Sequence, residues 1–164
     1  MSHSIAVRPA TPADLLALQG FHAALCAAER ASGYDDGADP TFAESPSGKS
    51  YLLARINGDG LALIAHDGNV PVGYLVAGVR SSPRGSVSGL ESMFVSPACR
   101  RRGIGTALLE QFLVWHRASG LQSASLAVAP GNRAAIALYE RAGFRGTTLV
   151  MELAFPARAH KSEA

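Results

Sequence analysis

No stretch of this chain is apolar over the ~18 consecutive residues that a membrane-spanning helix needs, which predicts a protein without a membrane span. The first residues, Met1-Ser2-His3-Ser4-Ile5-Ala6-Val7-Arg8, lack the basic start and apolar run of an export signal, so a cytoplasmic location is expected. There are only two cysteines in 164 residues, Cys26 and Cys99, and no CxxC spacing. That excludes a disulfide scaffold and offers no zinc or redox motif, and the expectation is two free thiols and no metal. Charge is scarce as well: 17% of residues are charged and the formal net charge is +2, too mild a balance for a nucleic-acid partner. Low-complexity tracts and internal repeats are absent. What is present is 48% hydrophobic residues, enough for one compact core at this length.

The order of elements reads as mixed α/β. A first strand at Ser4 to Val7 stops at Arg8-Pro9-Ala10-Thr11-Pro12, where Thr11 and Pro12 open a helix carrying Leu15, Leu18, Phe21, His22 and Leu25 at helical spacing to about Ala31. Residues 33–48 read as a loop with four acidic side chains, Asp35, Asp36, Asp39 and Glu44, ahead of a short helix from about Ser47 to Ile56. Strands follow at Leu61 to Ala65 and Val72 to Val79, joined by a hairpin turn at Asp67-Gly68-Asn69, and a third at Gly89 to Val95. The strongest helical pattern runs from Gly103 to Ser119, with Ile104, Leu108, Phe112 and Trp115 on one stripe. A buried strand at Ala124 to Ala129, a helix from Pro130-Gly131-Asn132 to Ala142 and a last strand at Thr147 to Phe155 complete the pattern. The strand-helix-strand crossover in the middle predicts a parallel pair. The tail after Pro156 reads as polar and frayed, giving one domain over 1–156 and a tail over 157–164.

The chemically pointed segment is Arg100-Arg101-Arg102-Gly103-Ile104-Gly105-Thr106, between a strand and the longest helix. The first amides of a helix have no internal partners, and the macrodipole adds about half a positive charge there. Gly103 and Gly105 keep Cβ atoms out of the way of an approaching anion, and the three arginines add charge and forked donors. A solvated basic turn is the plain alternative. A P-loop would need a lysine beside Thr106, where Ala107 stands, and a dinucleotide fingerprint lacks its third small residue, since Leu108 occupies that place.

These residues resemble the signature [QR]-x-x-G-x-[GA] of the GCN5-related N-acetyltransferase (GNAT) superfamily, met by Arg100, Gly103 and Gly105. Glu91 to Val95 with Pro97, the strand at Ser125 to Ala129, and Asn132, Tyr139 and Gly143-Phe144 fall in the family's order, and the likeness covers Leu61 to Leu153. The resemblance implies a single GNAT-type domain. Its central sheet is mixed and mostly antiparallel with a parallel, splayed strand pair, flanked by about four helices. It further implies acetyl-CoA as co-substrate, with pyrophosphate on the amides of Arg101, Arg102, Gly103, Ile104, Gly105 and Thr106, and a pantetheine arm along Met93, Phe94 and Val95. Homodimers are common in the family and remain compatible with this chain.

Transfer of acetyl to an amine requires the amine to be neutral. With a pKa near 10.4 it is neutral about once in 2,500 molecules at pH 7, a deficit of ~4.6 kcal/mol. Glu91, placed on one face with Met93 and Val95 by the two-residue period, could take the proton directly or through water; a strand-edge carboxylate paired with Arg80 or Arg84 is the alternative. Asn132 and Tyr139, seven residues apart, fall on one helical face. By resemblance Asn132 contacts pantetheine and Tyr139 donates a proton to the departing sulfur; helix capping and half-buried packing are their plainer roles. A backbone N–H near Phe94 would hold the oxyanion. His22, His66 and His116 read as structural or solvated, and Cys99 as lying before the turn rather than in the cleft, which leaves no covalent nucleophile.

The leading expectation is therefore an enzyme that transfers acetyl from acetyl-CoA to a primary amine of a small molecule or peptide, by direct attack in a ternary complex. An acyl-CoA-binding sensor or partner-binding module without turnover is the second reading, and a nucleic-acid-binding fold, which would need a wider basic surface, the third.

Overall fold

The computed structural model describes residues 5–34, 39–82 and 85–151. Five strands form one sheet in sequence order: β1 (Ile5–Pro9), β2 (Leu61–Asp67), β3 (Val70–Ser82), β4 (Gly85–Val95) and β5 (Ala124–Ser125). The first four pair antiparallel, and β4 and β5 pair parallel. Four helices flank the sheet: α1 (Leu15–Ala31), α2 (Pro46–Ile56), α3 (Ile104–Ala118) and α4 (Arg133–Arg141). This is the mixed sheet and helix count that the sequence pattern implied.

The pattern of residues explains each layer. Along β3, Leu75 and Ala77 face one way, where they join Ile104, Leu108, Leu109 and Phe112 of α3 in a buried cluster. Tyr74 and Val76 face the other way and pack under α1 and α2 with Leu18, Leu52, Ile64 and Phe94. Both faces of the sheet are thus covered, which is why β2 and β3 read as continuous apolar runs instead of clean alternations. Trp115 packs at the margin of the α3 cluster, its ring 6.0 Å from that of Phe112. The β2–β3 turn works as expected, with Gly68 at φ +61° supplying the left-handed step.

Four expectations change. The first strand extends through Pro9, tolerable because β1 is an edge strand in which a missing N–H need face no partner. The run Ala124 to Ala129 pairs with β4 only at its start, Ser88 to Ala124 and Gly89 to Ser125, after which the chain leaves the ladder although Leu126 and Val128 still pack on the core. Residues 147–151 of the last expected strand form none; Leu149, Val150 and Met151 stay exposed, and 152–155 lie outside the described residues. Strand propensity needs a neighbouring edge to act on, and this segment meets none among the described residues. The fourth is a bulge. The β3–β4 register passes from Val76 opposite Ser92 to Ala77 opposite Leu90, so Glu91 is an extra residue and the side-chain alternation reverses there.

Candidate active site

Because β5 leaves β4 after Gly89, the edge of β4 from Leu90 to Val95 has no strand partner among the described residues. A cleft of about 650 Å3 opens beside it, walled by Met93 to Val95, by the turn from Arg100 to Thr106 without Arg102, and by Gly131, Asn132 and Leu138. Leu25 and Glu29 of α1 close its far side. An extended ligand lying there could take the unpaired backbone groups of β4 as a further strand would.

At the end of the cleft the turn is shaped for an anion. Arg101 has φ +63°, the one described residue other than glycine with positive φ, and Gly103 follows at φ +82° as the N-cap of α3. Left-handed residues in such a turn bring successive N–H groups to one concave side, and strain of this kind collects where a ligand is held. A Cβ built on Gly103 would meet no atom within 4 Å, while one on Gly105 would stand 3.3 Å from Leu138. The amides therefore open onto free space at Gly103 and lie under close helix packing at Gly105. Donors, space and the free strand edge together fit a long phosphate-bearing thioester.

The three arginines divide their work. Arg100 donates from Nε to the carbonyl of Val95 at 3.0 Å and lies over the Phe94 ring, so it ties the turn to β4 while still bordering the cleft. Arg101 lines the cleft. Arg102 turns away and donates to Asp67 Oδ2 at 2.6 Å, an ion pair that raises its already high pKa. Its side chain thus fastens the turn to the β2–β3 hairpin and is not among the residues that line the cleft. Asp67→Ala is expected to weaken CoA binding several-fold and leave turnover at saturating cofactor unchanged. An unchanged Kd by calorimetry would show that the turn keeps its shape without that tie.

Glu91 is the largest departure from expectation. The bulge points it away from Met93 and Val95, toward α2, where Arg55 grips both carboxylate oxygens at 3.0 Å from Nε and Nη2. Tyr51 donates its hydroxyl to Oε2 in a short hydrogen bond. Arg80 is not the partner, since it reaches Ser125 Oγ at 3.1 Å, and Arg84 lies outside the described residues. Arg55 lies against two glycines, since a Cβ at Gly60 would stand 2.6 Å from its Cδ and one at Gly78 2.6 Å from its Nη2. Its pKa is raised by the hydrogen bond to Glu91, and burial followed by that carboxylate pushes the Tyr51 phenol well above its usual range. Two-point pairing between guanidinium and carboxylate is the strong form of this interaction. Tyr51 and Arg55, four residues apart on α2, were the residues that composition and motif did not single out.

Asn132 borders the cleft and caps α4, its Oδ1 accepting from Ala135 N at 3.1 Å. Its φ of −82° and ψ of 67° are those of a cap and not of the helix, and of the pair Asn132 and Tyr139 only Asn132 is among the residues that line the cleft. Tyr139 packs inward beside Phe144, 8% exposed, while its neighbour Leu138 lines the cleft. Burial pushes its phenol up to about 12, with a further contribution from Glu29 of the cleft wall. Its hydroxyl has no hydrogen-bond partner among the described residues. Cys99, contrary to expectation, lines the cleft, and Cys26 and Cys99 form no disulfide with each other. Of the loop acids, Asp39 accepts from Thr41 N and Oγ1 in a local turn, Glu44 lies in the turn before α2, and Asp35 and Asp36 lie outside the described residues. No described helix is long and apolar enough to cross a membrane.

A mixed sheet that opens along one strand, with a glycine-bearing turn into α3 at the end of the opening, places the chain in the mixed α/β class. The chain belongs to the acetyltransferase (GNAT) family, whose sequence model matches residues 24–144. It is 28% identical over 100 residues to an uncharacterised N-acetyltransferase of Methanocaldococcus jannaschii, a match covering 61% of this chain and 41% of that protein. The chain thus spans about two fifths of that relative's length. Among solved structures, a GCN5-related N-acetyltransferase from Ralstonia eutropha superposes with TM-score 0.73 at 22% identity, over 92% of this chain and 99% of that one. The aminoglycoside N-acetyltransferase AAC(6')-Iy in complex with CoA gives 0.72 at 19% identity, over 97% and 98%. At these identities the likeness is one of fold.

Proposed function

We propose that the chain transfers an acetyl group from acetyl-CoA to a primary amine of a small molecule or peptide, by direct attack with both substrates bound. The observation that supports this best is the unpaired edge of β4 running into the amide turn at Arg101 to Thr106, in one cleft. Acetyl-CoA, when bound, supplies an acyl group activated as a thioester. The amides of the turn from Arg101 to Thr106 bind phosphate, the backbone of Met93, Phe94 and Val95 aligns the pantetheine arm, and Asn132 borders it from the opposite wall. As the N–C bond forms and the C–S bond breaks, the amine gives up one proton, to Glu91 directly or through water, and the departing sulfur takes one. A backbone N–H near Phe94, on the open edge of β4, holds the developing oxyanion, and the Tyr139 phenol, kept protonated by burial and by Glu29 of the cleft wall, supplies the sulfur's proton.

Release of free CoA thiol from acetyl-CoA, followed with a panel of primary amines, tests the reading. Amine-dependent release with formation of the N-acetyl product is the expected result. Saturable CoA binding with no release for any amine would instead identify a binding module.

A further inference from the structure

A second cavity, of about 120 Å3, lies beside the cleft and is lined by His22, Phe42, Tyr51, Leu52, Glu91 and Ser92. Two elements carry it into the cleft. On β4, Ser92 of the cavity and Phe94 of the cleft follow one another on the face under α1, because the bulge at Glu91 put both there. On α1, His22 of the cavity is followed at helical spacing by Leu25 and Glu29 of the cleft. The walls are held in place. Gln19 Nε2 donates to Ala43 O at 2.6 Å, and Ser45 Oγ donates to Phe42 O at 2.6 Å and accepts from Gly48 N at 3.0 Å. Gly48 sits so close that a Cβ there would overlap the Phe42 carbonyl.

The polar end of the cavity has little capacity left. A carboxylate offers about four acceptor sites. Oε2 of Glu91 receives Tyr51 and Arg55 Nε, and Oε1 receives Arg55 Nη2, so about one site on Oε1 remains. Arg55 also cancels the carboxylate's charge, leaving aromatic walls of His22, Phe42 and Tyr51, with ring centroids 6.3 and 6.1 Å apart. Among the described residues lining the cavity, a polycation would find no net negative charge. At about 120 Å3 the space is smaller than the ~150 Å3 cavity that accepts a benzene ring. It suits an unbranched alkyl arm better than a ring.

Resting on the acetyl-transfer reading above, we propose that this cavity is the acceptor subsite for the aminoalkyl end of a short primary monoamine, and that it selects against polycationic acceptors. One N–H of the amine donates to Glu91 Oε1, the alkyl arm lies between the rings, and Arg55 and Tyr51 are positioning residues that aim the carboxylate.

The test compares n-butylamine with spermidine and the aminoglycoside neamine at equal ionic strength. The monoamine is expected to show the higher kcat/KM, by about tenfold, because the further ammonium groups of the polycations would be desolvated beside a carboxylate already neutralised by Arg55. Higher kcat/KM for either polycation would overturn the subsite and leave the transferase reading standing, whereas no thiol release with any amine, despite CoA binding, would sink the transferase reading itself. Glu91→Gln should raise the butylamine KM about tenfold with the acetyl-CoA KM unchanged, and Arg55→Lys should retain more amine affinity than Arg55→Met. Since the Arg55 variants could fail to fold, Phe42→Ala at the exposed rim gives the same readout: a raised butylamine KM supports the subsite, and an unchanged KM in both Phe42→Ala and Glu91→Gln overturns it.

Discussion

Gly103→Val is expected to abolish CoA binding. At φ +82° valine is sterically strained, by ~1–2 kcal/mol for an ordinary side chain and more for a β-branched one. Relaxing that strain rotates the peptide units on either side and turns the amides of the α3 N-terminus off the phosphate, each a charge-assisted bond of ~1.5–3 kcal/mol. The side chain would also enter the open space that a Cβ at Gly103 faces. Together these give a loss of at least about 100-fold in Kd, while the thermal midpoint should fall only modestly because Gly103 is exposed and no packing is disturbed. Calorimetric titration of CoA into the variant measures it, and affinity within tenfold of the parent would contradict the phosphate assignment. Gly105→Ala is the useful contrast: its Cβ would stand 3.3 Å from the movable Leu138 side chain, at a backbone angle without strain, and should cost far less.

That contrast shows what could be read in advance. The turn at Arg100 to Thr106 was legible as the step from strand to helix because its left-handed N-cap and its lack of Cβ atoms are written directly as glycines beside a helix start. The helices were legible from period, as Ile104, Leu108 and Phe112 show by meeting in one cluster. Glu91 was misplaced because a two-residue period assumes an uninterrupted ladder, and nothing in Leu90-Glu91-Ser92 announces a bulge. Its partners were invisible for a different reason. Arg55 reaches across 36 residues of sequence, and only the small size of Gly60 and Gly78 hints that something flat must lie on them. The run 124–129 has strand residues throughout, yet Ala124 and Ser125 alone pair: the splay that makes the cleft is a relation between two chains of backbone, not a property of either. Arg102 carries the same charge as Arg100 and Arg101, and whether it faced phosphate or Asp67 depended on where the β2–β3 hairpin ended.

Tyr139→Phe is expected to lower kcat about 100-fold or more, the usual range for removing a general acid, with CoA affinity changed less than about twofold, since the packed ring stays and only an oxygen leaves. The acid role has support in the pKa: burial and Glu29 hold the phenol at about 12, so it keeps its proton across the whole range in which acceptor amines lose theirs. Between roughly pH 7 and 10 the rate should therefore rise as amine deprotonates, in the parent and the variant alike, with a constant ratio between them. The same shift acts on stability. The folded phenol binds its proton more tightly than the unfolded one, so its contribution is complete below pH 10 and is lost as pH rises toward 12; phenylalanine removes that slope. Neither effect separates an acid from a residue that merely packs, but the leaving group does. With acetyl-selenoCoA the departing selenol is more acidic than the thiol and needs less help, so the deficit of Tyr139→Phe should shrink. A deficit equally deep with both donors would mean that Tyr139 only packs behind the cleft wall and takes no part in protonating the sulfur.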